Sequence, residues 1–351
     1  MDLWIYSEDF ELLGIVDTAS SIIWANRFRQ CGDFEVYVQA SAAMLDLLQI
    51  DRIVVRPGDE MACFIEKVEI TTDEENGDFM TVSGRCLRSI LDRRIVWDQT
   101  QLSGTLENAM RRLVTDAFIS PAIAARKYDG LALAEAHGYT DTVSAQYTGT
   151  NLLEAIEELC ATKNYGFKIT MERDGWRTGG LVLDIYRGVD RSMNQSESPR
   201  VVFSEEYDNL TTTTYTKDKK AYKTVALVAG EGEGSARRRT IVSRSEDQAG
   251  LHRRELYVDA RDISSNEGEI SDSAYFAQLS ERGSADLAEA TIIESMDGAV
   301  EALQMYTYGV DYSLGDLVTV RNKHGIQADA QVLEVVEVWD ENGYTCTPTF
   351  G

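Results

Sequence analysis

No stretch of this sequence approaches the roughly 18 consecutive apolar residues that a membrane-spanning helix requires, so no membrane span is expected. The opening residues, Met1-Asp2-Leu3-Trp4-Ile5-Tyr6-Ser7-Glu8, lack both the basic n-region and the long apolar core of a secretory signal; release by assembly or lysis is expected instead. Cysteine is sparse and odd in number: Cys31, Cys63, Cys86, Cys160 and Cys346 are scattered with no C-x-x-C pair, which argues against a disulfide framework or zinc site and for reduced, buried thiols. Histidine is scarcer still, and His137, His252 and His324 lie far apart, outside any H-E-x-x-H or similar ligand spacing. Cations are also short, with 34 lysines and arginines against 59 acids and a formal net charge of −25. Such a surface repels nucleic acid and anionic membrane.

What is present is a chain of 351 residues, long enough for two or three domains with cores of their own. Short runs rich in Ile, Val, Trp, Phe and Tyr at residues 3–6, 11–16, 21–27 and 34–38 predict a β-meander broken at Asp17-Thr18 and Gly32-Asp33. A short helix over residues 41–48 carries Ala42, Leu45 and Leu48 at helical spacing. Strands at 52–55, 62–71 and 79–86 follow, joined by Pro57-Gly58-Asp59 and Asn76-Gly77 turns. Thr105 is placed to cap a helix that keeps Leu106, Ala109, Met110, Leu113, Val114 and Phe118 on one face. Asn151, with Glu154 three residues on, opens a second helix that Gly166 is expected to end. Strands at 167–171 and 181–186 complete this middle region, joined through Asp174-Gly175 and Gly179-Gly180. Beyond a polar linker at 192–198, strands are expected at 201–203, 210–216, 222–230, 239–243, 299–308, 317–321, 330–339 and 344–347, with a helix over 272–290 and turns at Gly315-Asp316 and Asn342-Gly343.

The expected fold class is therefore α+β and β-rich: two antiparallel β-barrel-like domains flank a helix-containing α+β domain. Their bounds are residues 1–102, 103–198 with the linker, and 199–351 with a covering helix.

Possible chemical sites are weak. Gly230-Glu231-Gly232-Glu233-Gly234 has no Gly-Lys-Ser/Thr ending and its glutamates would repel phosphate, so it reads as a hairpin loop. Carboxylate pairs mean little where acids make up about a sixth of the chain, and residues 73–78 and Asp340-Glu341-Asn342-Gly343 fit hairpin turns rather than calcium loops. No residue is assigned a catalytic, cofactor-binding or metal-binding role. Arg237-Arg238-Arg239 and Arg253-Arg254 read either as local charge balance or as arginines that meet the acids of a neighbouring subunit. Trp24, Trp97 and Trp339 read as core or barrel-closing residues rather than ligand platforms.

Several stretches carry a resemblance over most of the chain: Ser21-Ile22-Ile23-Trp24 leading into Arg27-Phe28 and Gly32-Asp33-Phe34-Glu35, then Arg93-Arg94-Ile95-Val96-Trp97, Gly188-Val189-Asp190-Arg191-Ser192, Val202-Phe203-Ser204, Asp208-Asn209-Leu210 and Pro348-Thr349-Phe350-Gly351. In order and spacing they resemble the siphophage Gp37-like tail protein family. The resemblance implies a non-enzymatic tail-tip or baseplate hub subunit in the virion, forming a trimeric ring with β-barrel domains that continues or closes the tail tube. It implies as partners a distal tail protein, a tape measure and fibre or receptor-binding proteins, with DNA passing through unbound. The sequence stops at Gly351, which leaves no room in it for a C-terminal hydrolase or fibre module. The alternative from another class is a cell-wall carbohydrate-binding or glycan-hydrolysing tail module. Charge and resemblance together lead to a further expectation, that acids line the lumen so that DNA slides without being captured.

Overall fold

Along Asp33–Gln39 every second side chain is buried: Phe34, Val36 and Val38 point inward while Glu35, Tyr37 and Gln39 face solvent. That two-residue period marks a strand with one face on a core and one face open. The computed structural model describes residues 1–73, 77–174, 177–207, 209–210, 212–299, 305–325 and 327–351, leaving aside the side chains of 173–174, 177–179, 212–213, 267 and 295–299. Residues 74–76 of the 73–78 loop, including Asn76 of the expected Asn76-Gly77 turn, Gly175, Asp208 and residues 300–304 of the expected 299–308 strand lie outside the described residues.

The expected meander divides at Asp17-Thr18. Leu3–Tyr6 pairs with Leu12–Val16 and with Ile53–Val55, which pairs with Ala62–Phe64, giving a four-stranded antiparallel sheet. Ala19–Arg27 leaves it for a second sheet, because Leu3, Ile5 and Val16 of the first and Trp24, Phe34 and Val36 of the second bury the same core between them. Helix α1 (Ala42–Leu47), capped by the Ser41 hydroxyl on the Met44 amide, stands at its margin with Leu45 exposed.

The second sheet is the spine of the molecule. Its strands run in the order Thr212–Asp218, Ile293–Ala299, Gly343–Phe350, Gln327–Asp340, Ala19–Arg27, Asp33–Gln39, Gly77–Arg85 and Lys67–Asp73. Leu317–Arg321 pairs off Gln327–Asp340 and takes Val202–Ser204 as a parallel neighbour. No closed barrel is present among the described residues. The physical reason is the long strand Gln327–Asp340, which pairs antiparallel with Ala19–Arg27 from Glu334 to Trp339 and thereby extends the sheet instead of closing the C-terminal strands on themselves.

Between these parts, helices α2 (Leu106–Val114) and α3 (Leu152–Lys163) share one core with Gly166–Asp174, Arg177–Tyr186 and Leu131–Leu133. The Asn151 side chain caps α3 by accepting from the Leu153 and Glu154 amides at 2.9 and 3.3 Å, as the sequence leads one to expect. The helix is ended by Asn164 in the left-handed region (φ 61°) and not by Gly166. Residues 219–292 form an inserted unit between two paired strands, Thr212–Asp218 and Ile293–Ala299. In it Arg239–Ser243, Val225–Ala229 and Glu255–Asp259 lie side by side under helix α4 (Asp272–Glu289) around Ala226, Val228, Tyr275 and Leu279.

Candidate functional site

The distant segments meet at a buried junction organised by arginines. The turn Leu87–Arg93 points Arg88 inward, where its guanidinium donates to the carbonyls of Arg27 (2.6 Å), Phe28 (3.3 Å) and Phe167 (3.2 Å) and to the Asn26 side chain (3.3 Å). Burial alone would weaken this cation; the adjacent Cys86 and Tyr186 side chains outweigh it and raise the Arg88 pKa. One side chain thus satisfies backbone acceptors from two separate modules, groups that would otherwise be costly to bury.

Two further clusters lie around the same cleft, whose volume is about 620 Å³. Arg56 pairs with Asp59 and, at 2.6 Å, with Glu337, its guanidinium lying 4.7 Å from the Trp339 ring centre. Burial pushes the Asp59 carboxyl up against the opposing pull of Arg56. Asp316, almost fully buried, accepts from the Val189 and Ser313 amides at 2.7 and 2.9 Å and from Arg191 at 2.8 Å. Phe28 fills the space between them. A Cβ on Gly166 or on Gly315 (φ +88°) would come within 2.3 Å of its ring, so both positions require glycine.

Several of the stretches that carried the family resemblance meet in or beside this junction, although nothing in one dimension links them; Arg93-Arg94-Ile95-Val96-Trp97 lies elsewhere, with Arg93 over the Phe64 ring. Gly188 packs against the Gly315 carbonyl, Arg191 binds Asp316, the Phe203 ring lies tilted with its centre 5.0 Å from that of Phe350, and the Asn209 side chain bridges the Ser204 amide and the Val202 carbonyl. Arg88, Arg56 and Glu337 escaped the sequence reading, since a single charged residue whose partners are remote in the chain carries no periodic signal.

Other candidates settle locally. Trp24 is fully buried and Trp339 packs beside that core, but Trp97 is 55% exposed with the Arg126 guanidinium 5.2 Å from its ring, a correction to its expected core role. Arg237 binds Asp259 and the Gly230 and Ala229 carbonyls, and Arg238 binds Glu231 and Asp272. Glu231 in turn accepts from the Ser265 amide, so the glycine-rich loop is tied internally rather than open to phosphate. Arg239 reaches the Gly234 carbonyl, Arg253 the Glu255 carboxylate and the Gln248 carbonyl, and Arg254 the Lys219 carbonyl. His137 meets Asp184 at 2.9 Å, and among the described residues no group of three or more potential ligands is placed to hold a metal ion.

Remote segments are thus sewn into one scaffold through buried arginines and the spine sheet. The fold is that of prophage tail proteins. It superposes on the 43 kDa tail protein of prophage MuSo2 from Shewanella oneidensis with a TM-score of 0.59 at 13% identity, covering 100% of this chain and 98% of that one. The tail protein from Neisseria meningitidis MC58 gives 0.59 at 13% identity over 99% and 95%, and prophage tail protein gp18 from Listeria monocytogenes EGD-e gives 0.51 at 12% over 99% and 94%. The chain belongs to the Siphovirus ReqiPepy6 Gp37-like protein family, which it matches over residues 2–351. No curated protein matches the sequence.

Proposed function

We propose that this protein is the hub subunit of a siphophage-type tail tip, a non-enzymatic component that joins head to tail into a trimeric ring around a channel for DNA. The observation that carries the reading is the spine sheet. Its two end strands, Lys67–Asp73 and Thr212–Asp218, lie at opposite edges of one sheet, and among the described residues no further strand pairs with either. Two different edges are what a heterologous, ring-closing contact uses, whereas a two-fold dimer would pair one edge with itself. Ile70, on the core-facing side of its strand opposite buried Met80, is 52% exposed and offers an apolar contact for the next copy.

The same geometry supports an assignment of the lumen. The inner face of the N-terminal half of the sheet is covered by its own core, so an edge-joined ring turns the other face to the channel. That face carries Glu35, Tyr37, Lys67, Glu69 and Thr81, with Lys67 and Glu69 paired to each other. A weakly acidic wall on a chain of net charge −25 does not capture phosphates, and its repulsion acts over a Debye length of about 8 Å. Other tail proteins would cover the ring's two ends. The test is light scattering of the purified chain with and without neighbouring tail proteins, followed by imaging of the assembly. A ring of three with contacts through the two end strands is expected; a two-fold dimer as the largest assembly overturns the reading.

A further inference from the structure

Beside the junction, three hydrogen-bond donors converge on one sulfur. The Gly32 amide lies 3.2 Å from the Cys86 Sγ, the Arg88 Nε 3.4 Å from it, and the Cys31 Sγ 3.3 Å. Cys86 is buried, and Cys31, half-buried, stands at the solvent-side rim of the pair. The backbone holds the arrangement: the Cys86 amide donates to the Gly32 carbonyl at 2.8 Å. A Cβ on Gly32 would meet the Ala25 carbonyl at 2.5 Å, so this approach needs glycine. The Cys31 amide is held by Glu157 at 3.2 Å. A sulfur surrounded by donors, one of them cationic, is an environment for a thiolate rather than an inert core thiol. Burial disfavours the charge, but the Cys31 hydrogen bond and Arg88 outweigh it and bring the Cys86 thiol below its ordinary range.

We propose that Cys31 and Cys86 are a redox-active pair that closes to an intrachain disulfide when the protein meets a disulfide oxidant. The chemistry does not depend on the tail-tip reading. With glutathione disulfide, Cys31 at the rim passes its proton to Cys86 and attacks one glutathione sulfur, which breaks that S–S bond and expels a glutathione thiolate. The Cys86 sulfur then attacks Cys31, its proton leaving with the second glutathione. Two electrons leave the pair and reduce one glutathione disulfide to two thiols. The bond would staple the turn at residues 28–32 to the start of the 87–93 turn, across the elements that Arg88 holds by hydrogen bonds. A protein made in a reducing compartment would keep the pair open, and it would lock after release.

Incubation of the intact chain with glutathione disulfide at neutral pH, acid quenching, alkylation under denaturing conditions and peptide mapping without reduction read the outcome directly. A Cys31–Cys86 linked peptide lighter by two hydrogens is expected, with Cys63, Cys160 and Cys346 alkylated. The Tm should rise by several degrees on oxidation, and the Cys31→Ser chain should show neither linkage nor shift. Persistently free Cys31 and Cys86, a stable glutathione adduct on Cys31 that does not close, or a bond from either to Cys63 would overturn the proposal.

Discussion

Arg56 and Glu337 are 281 residues apart in the sequence and 2.6 Å apart in the structure, and both are almost fully shielded from solvent. The pair sits where Gln327–Asp340 crosses Ala19–Arg27, and Glu337 also accepts from the Tyr344 hydroxyl at 2.7 Å. The first expectation follows from its burial. Removal of Glu337 leaves the buried Arg56 balanced by Asp59 and takes the acceptor from the Tyr344 hydroxyl, a larger loss than that of a solvent-exposed pair. Glu337→Ala should therefore lower the urea midpoint far more than Glu69→Ala, which removes an exposed ion pair. Similar midpoints for the two variants would show that the junction tolerates the loss.

Phe28 and the two glycines facing it form a single packing unit. Gly166→Ala should destabilise by roughly 1–3 kcal/mol through overpacking. The same change in a Phe28→Leu background should cost less than the sum of the two single changes, because the smaller side chain frees the volume. Additive losses in denaturant unfolding would mean that the close approach seen at 2.3 Å relaxes by some other route.

Helices α3 and α4 face each other with an excess of acid. Glu154, Glu157, Glu158, Asp286 and Glu289 line a groove of about 820 Å³ in which Arg282 is the cation between the helices, 3.7 Å from Glu158. Burial, and for Glu158 and Asp286 the neighbouring carboxylates, raise the pKa values of Glu157, Glu158 and Asp286. A carboxyl with a raised folded-state pKa favours the protonated form in the folded chain. Its stabilising contribution is complete below the unfolded value of about 4 and is lost as pH climbs through the raised value. Asp286→Asn should accordingly raise Tm at pH 7, and the gain should shrink toward pH ~4. A gain that is independent of pH, or a loss at neutral pH, would count against electrostatic crowding at this contact.

Ile70→Lys tests ring closure through the sheet edge. The residue is half exposed, so the isolated chain should keep its stability within about 0.5 kcal/mol while self-association weakens. Sedimentation at several concentrations separates the two effects; unchanged association would place the contact elsewhere.

The proposed acidic lumen predicts a dependence on salt. Glu35→Lys with Glu69→Lys should convert a non-binding assembly into one that retains duplex DNA, with an affinity that falls steeply as salt rises. Measurement by fluorescence anisotropy between low and physiological salt would show it. Tight DNA binding by the unaltered assembly would remove the sliding argument.

Much of the local structure was legible because it is encoded within a few residues. The apolar face from Leu106 to Phe118 and the caps at Thr105 and Asn151 appear in the folded protein as periodicity and capping chemistry require. Turns at Gly58 and Gly343 adopt the positive φ that glycine allows. The reading faltered where a residue's role depends on a remote partner. Gly166 looked like a helix stop, but Asn164 ends the helix and Gly166 makes room for Phe28. Trp97 looked like core, yet no sequence pattern tells which tryptophan a sheet will cover. The strand pair Leu131–Leu133 with Arg177–Tyr186 is parallel and joins segments far apart, and so leaves no hairpin signal.

By itself, then, the chain's sequence determined its family, its β-rich α+β character, its helices and its strong negative charge, since each is a matter of composition, short-range period or ordered motifs. Only the tertiary structure decided that Gln327–Asp340 lies against Ala19–Arg27, that Arg88 ties Arg27, Phe28 and Phe167 together, and that Cys31 comes to rest against Cys86. The reason is that strand pairing and buried-charge satisfaction are settled by shared cores. Val332, Val335 and Phe350 bury with Phe28, and Trp24 with Val82, only when the whole chain has folded. Local propensity selects the strands, and the burial they achieve together selects their neighbours.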